Sequence, residues 1–197
     1  MKLLDITYVA LLAAFMGALG FVPPIMLSFT PVPITLQTLG VLLAGGILGA
    51  KRGFLSMMIF LLLVAAGAPL ISGGRGGFAV FLGPSAGYLI SWPITALCLG
   101  YLISRFSKLR FGRILFINLT VGIFMMYIIG IPVQAFILHI KLTNAIITSL
   151  VYIPGDVLKA TLASYLVYRL AKSPAIKRNL HKENSPIDEP LEAKTEA

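Results

Sequence analysis

Four long stretches of this chain, residues 6–50, 53–74, 76–104 and 114–140, contain no Lys, Arg, Asp or Glu. About 20 predominantly apolar residues cross a bilayer as a helix, so the first stretch has room for two spans and each of the others for one. With 58% hydrophobic residues and a mean hydropathy of +0.94, the sequence describes an integral membrane protein.

Spans are predicted over residues 6–22, 34–50, 53–68, 84–104, 114–138 and 154–170, giving an all-α bundle of six transmembrane helices. Pro23 and Pro24 stop the first, because proline cannot continue the hydrogen-bond ladder. Residues 144–152 are too short to span and are expected to lie at the surface as a helix or cap. A membrane domain over 1–172 is followed by a polar tail, 173–197, whose Pro174, Pro186, Pro190 and mixed charge suggest disorder.

The bases divide unequally between the two sides. Lys2, Lys51, Arg52, Arg105, Lys108, Arg110, Arg113, Arg169, Lys172 and the bases of the tail fall at the amino end and after the second, fourth and sixth spans. The opposite side has Arg75 and Lys141. Cytoplasmic loops collect Lys and Arg, so both termini are expected in the cytoplasm of a multi-pass cell-membrane protein. Residues 1–20 also resemble a signal peptide, but cleavage would leave five spans and fit the asymmetry less economically.

These positions also account for the net charge of +9, which follows the membrane rather than forming a stripe for nucleic acid. Cys98 is the single cysteine, expected to be a small core residue, and His139 and His181 are too few and too far apart for a metal cluster. No metal or cofactor is predicted. The chain has no Gly-Lys-Ser/Thr phosphate loop and no metalloprotease His-Glu-x-x-His, so neither ATP hydrolysis by a P-loop nor another enzyme activity is expected.

Against this background Asp156 and Lys159, in the run Pro-Gly-Asp-Val-Leu-Lys, are charges placed in the first two turns of a predicted span. An ionisable side chain there costs at least roughly 2.5 kcal/mol and marks a functional site by default. Three residues apart on a helix, they share a face and offer one acceptor and one donor. They would also serve as a packing ion pair.

Other polar residues are predicted at the same depth. Arg75, flanked by four glycines, offers a planar fork to a carboxylate; a mobile loop meeting lipid headgroups is the plainer reading. A loop stiffened by Pro31 and Pro33 delivers Thr35, Gln37 and Thr38, whose polar groups suit either a neutral ligand or interhelical hydrogen bonds. Tyr88 and Trp92 are expected as interface anchors or, second, as walls of an apolar slot. Ala10, Ala14 and Ala18 recur at every fourth position and permit close helix approach, with a partner inside this chain favoured over a separate protein.

Three runs, Pro-Val-Pro-Ile-Thr-Leu-Gln-Thr-Leu-Gly at 31–40, Gly-Gly-Arg-Gly-Gly at 73–77 followed by Gly-Pro-Ser-Ala-Gly-Tyr at 83–88, and Pro-Gly-Asp-Val-Leu-Lys at 154–159, resemble the BioY family. Its members are the biotin-specific S components of energy-coupling factor transporters, and the likeness covers residues 5–171. It implies a six-helix subunit that captures biotin from outside, partnered by a transmembrane coupling protein and a pair of ABC-type ATPases. It further implies ligand roles for Asp156 and Lys159, a coupling-protein contact through Ala10, Ala14 and Ala18, and delivery by toppling of the whole subunit in the membrane.

Biotin's chemistry suits these groups: Asp156 accepts from a ureido N–H, Lys159 donates to the ureido carbonyl, and Arg75 meets the carboxylate, although a reversed pose satisfies the same counts. An S component for thiamine or riboflavin is the nearest alternative, disfavoured because the mouth offers few rings. A structural or assembly protein is the other.

Overall fold

The computed structural model describes residues 3–106 and 109–172; the predicted tail lies outside them. Its elements in chain order are α1 (Leu3–Gly20), β1 (Ile25–Leu27), β2 (Thr30–Ile34), α2 (Gln37–Leu48), α3 (Ala50–Ala65), α4 (Ala86–Ser104), α5 (Phe111–Ile117), α6 (Ile123–Leu138), α7 (Leu142–Ser149) and α8 (Ile153–Leu170). A π turn over Asn118–Gly122 joins α5 and α6 into one continuous helical span. That span, α1, α2, α3, α4 and α8 are the six membrane helices of a predominantly helical membrane protein.

The second helix departs most from expectation. It is predicted over 34–50 but runs only from Gln37 to Leu48, because residues 30–34 are extended. At 1.5 Å per residue it is about 18 Å long, well short of a bilayer's hydrocarbon core. It is the bundle's inner helix: Val41 and Ala44 are wholly buried, and α1, α3, α4 and α8 pack around it. Small residues permit this packing. A Cβ at Gly45 would stand 2.7 Å from the Ala96 carbonyl oxygen on α4, and one at Gly46 would stand 2.5 Å from Val167 Cγ2 on α8.

The extended residues form an antiparallel hairpin, pairing Ile25 with Ile34 and Leu27 with Thr30, and so add a small sheet to the predicted all-α fold. Pro23 and Pro24 end α1, and Pro31 fits a ribbon whose outer edges need no partner. The predicted surface cap at 144–152 is α7 and a following 3₁₀ turn, Leu150–Tyr152, which leads directly into α8. Cys98 is half-buried rather than a core residue.

Large apolar side chains such as Leu11, Phe15, Leu62, Phe116, Phe124 and Leu162 stand exposed around the bundle, as a surface solvated by lipid tails requires. Ala10, Ala14 and Ala18 lie on this outer face, whereas α1 turns Val9, Ala13, Met16 and Gly17 inward. The favoured internal partner for the alanine stripe is therefore overturned. Ser56 Oγ donates to the Val9 carbonyl and Arg52 pairs with Asp5 at 3.0 Å, holding α1 on α3 with the alanines outward.

Candidate functional site

The cavity lies at the end of the bundle opposite the base-rich turns, with an open space of about 700 Å³ including its mouth. Its walls come from the start of α8, the first turns of α6, the first half of α4 and the start of α2. The hairpin and the loop between α3 and α4 contribute the rim.

Pro154 near the start of α8 suits a helix's first turn, where a missing N–H costs nothing, and Asp156 sits at the favourable positive end of the helix dipole. Asp156 Oδ1 accepts from Lys159 Nζ at 2.6 Å, and Oδ2 accepts from the Tyr127 hydroxyl at 2.6 Å. Lys159 Nζ also donates to the Thr35 carbonyl at 3.0 Å and to Thr38 Oγ1 at 2.7 Å. All three ammonium protons thus have acceptors, and α8 is tied to the segment that enters α2. The ion pair of the plainer reading is present, and it lines the cavity. Each carboxylate oxygen keeps a free lone pair for a further donor.

Arg75 stands exposed on the rim, in a tight reversal where Ile71 and Arg75 exchange both backbone hydrogen bonds, at 2.9 and 3.1 Å. Gly73 and Gly74 make this reversal at φ 83° and 69°, conformations that side chains with a Cβ rarely adopt. Arg75 Nε donates to the Ser72 carbonyl at 3.2 Å.

Gln37 differs from its expected use as a ligand-bonding amide. It is wholly buried at the cavity wall, donates to the Met16 and Leu70 carbonyls at 3.2 and 2.9 Å, and accepts from Ser72 N and Ser72 Oγ at 3.1 and 3.3 Å. Its hydrogen-bonding capacity is filled by protein.

Tyr88 and Trp92 are cavity walls, which overturns their first reading as interface anchors. Trp92 is 4% exposed and packs on Phe60 with ring centroids 6.0 Å apart. The Tyr88 hydroxyl donates to Gln134 Oε1 at 3.0 Å and lies 3.1 Å from Ser149 Oγ, joining α4, α6 and α7.

Two further tyrosines belong to the site and were missed in the sequence. Tyr127, on α6, reaches Asp156, and Tyr152, just before α8, donates to the Val32 carbonyl at 3.0 Å and bonds Thr30 Oγ1. Both meet the Tyr88 ring edge-on, at 6.3 and 6.5 Å. With Trp92 they make four rings, so the expectation of a ring-poor mouth is incorrect. Tyr127 stands in a run apolar on every side, which gives no clue to which helix face looks inward.

The family model described as BioY family matches residues 1–175. A probable biotin transporter BioY of Bacillus subtilis (strain 168) is 51% identical over 173 residues, 88% of this chain and 93% of that protein. A biotin transporter BioY of Rhizobium etli is 44% identical over 168 residues, 82% of this chain and 90% of its own. Among solved structures, the S-component for biotin from an ECF-type ABC transporter matches with a TM-score of 0.86 at 38% identity, covering 89% of this chain and 95% of that one. The family match over nearly the whole membrane domain, together with these identities, shows that the chain belongs to the BioY family.

Proposed function

We propose that this chain is the substrate-capture subunit of an ATP-driven vitamin uptake transporter and that its ligand is biotin. The observation that carries the reading is a cavity holding a paired carboxylate and ammonium, Asp156 and Lys159, beneath an arginine rim, in a chain whose similar proteins are named biotin transporters. Asp156 accepts from a ureido N–H through a remaining lone pair. Lys159 donates to the ureido carbonyl by exchanging one of its bonds to Thr35 or Thr38. Arg75 meets the valerate carboxylate with its planar fork. Tyr88, Trp92 and Leu89 flank the apolar thioether ring.

The same reading places the protein in the cell membrane with both termini and the base-rich turns in the cytoplasm, so that the cavity opens outward. The exposed stripe of Ala10, Ala14 and Ala18 is the surface for a transmembrane coupling protein, which carries the pair of ABC-type ATPases. Membrane lipid covers the remaining apolar faces.

Titration of detergent-solubilised protein with labelled biotin tests the ligand. Saturable binding that excess biotin displaces and excess thiamine or riboflavin does not is the expected result. Folded protein without saturable biotin binding would overturn the reading, and displacement by thiamine or riboflavin would transfer the site to a ring ligand matched to its four aromatic walls.

A further inference from the structure

Gln37 is buried at the cavity wall, yet its amide bonds only protein: the α1 carbonyl of Met16, the loop carbonyl of Leu70, and both the N–H and hydroxyl of Ser72. We infer that Gln37 is a positioning residue that sets the Arg75 reversal over the cavity, and through it the preference for a ligand bearing a carboxylate. This rests on the reading of the site given above.

The path from Gln37 to Arg75 is short. Gln37 fixes Leu70 and Ser72, the residues on either side of Ile71. Ile71 pairs with Arg75 through two backbone bonds, and the Ser72 carbonyl receives Arg75 Nε. Beyond this anchor the reversal consists of the exposed Gly73 and Gly74, which hold no side chain against the protein. Gly77 N–H, donating to the Val64 carbonyl at 2.8 Å, holds the far side of the loop, while Ser72 sets the guanidinium itself through the Nε bond.

A buried amide with four partners is costly to disturb, since each group left without a partner keeps its desolvation penalty. Gly20 on α1 gives the clamp its room: a Cβ there would press on the Leu70 carbonyl and stand 3.1 Å from Gln37 Nε2. Two independent changes therefore reach the same joint. Gln37→Leu removes the amide and keeps an apolar side chain of similar volume, and Gly20→Ala wedges α1 away from the loop while leaving Gln37 in place.

The test measures the affinities of biotin and of biotin carboxamide for the full-length protein in detergent, taking their ratio as the readout. A charge-assisted hydrogen bond makes the wild type prefer the acid by about tenfold or more, and Arg75→Ala removes that preference. The expected result is that Gln37→Leu and Gly20→Ala both bring the ratio close to the Arg75→Ala value, and that Gln37→Leu combined with Arg75→Ala leaves it there. A wild-type ratio in both variants, with both ligands weakened alike, would show a packing role and overturn the inference. Should Gln37→Leu not fold, Gly20→Ala decides alone. Failure of the wild type to bind either ligand would instead overturn the biotin reading.

Discussion

The two ends of the bundle handle charge in opposite ways. At the cavity end Asp156 and Lys159 sit inside the helices, about a tenth exposed, and every ammonium proton is held by a named acceptor. At the other end four bases stand outside, over aromatic rings. Arg105 lies over Tyr101 at 4.7 Å, Arg113 over Phe106 at 4.4 Å, Arg169 over Tyr165 at 5.9 Å and Lys172 over Tyr168 at 4.6 Å. An interior charge survives only with a full set of partners, whereas long basic side chains at helix ends reach toward water along an apolar surface. The same residue types therefore organise a site at one end and mark an interface at the other.

Lys159→Met strikes this contrast hardest. It deletes three hydrogen bonds and leaves Asp156 as a buried carboxylate without its cation, a change costing about 3–5 kcal/mol. A clear fall in melting temperature and a loss of biotin affinity by about a hundredfold or more are expected from thermal unfolding and ligand titration. Wild-type behaviour in both would mean the pair does not organise the cavity.

Tyr127→Phe is gentler. It removes the hydroxyl donating to Asp156 and keeps the ring against Tyr88. Hydrogen bonds to charged groups contribute about 1.5–3 kcal/mol, so biotin should bind about tenfold more weakly if the carboxylate is its acceptor. An unchanged affinity would place the ligand's donors elsewhere.

The smallest effect belongs to the other end. Alanine at both Arg169 and Lys172 removes two exposed cation–π contacts of about 0.5–1 kcal/mol each, and biotin affinity should stay within about twofold. A larger loss would mean that the ends communicate, and the division between them would fail.

Much of the cavity's charge chemistry was legible because charges stand out in an apolar chain. Asp156 and Lys159 announce themselves in a span, and Arg75 is conspicuous among four glycines on a side with few bases. The tyrosines were not legible in the same way. Helical phase is read from the alternation of polar and apolar faces, and the fifth span has almost none because lipid and protein interior are both apolar. For the same reason the spacing of the alanine stripe favours an internal partner that α1 does not give it: spacing identifies a smooth face without saying what it meets. Gln37 lines the cavity, but whether an amide faces ligand or protein depends on carbonyls 21 and 33 residues away.

The sequence by itself determined that this is a membrane bundle, how many spans it has, and which charges are too costly to be there without a role, since each follows from local transfer energies. Tertiary structure decided what those residues face. The packing of α2 at the centre brings Thr35 and Thr38 to Lys159 and Gln37 to the Arg75 loop, and the approach of α6 to α8 brings Tyr127 to Asp156. These bonds join residues far apart in the chain, and their geometry is set by how helices cross rather than by any one segment's preference.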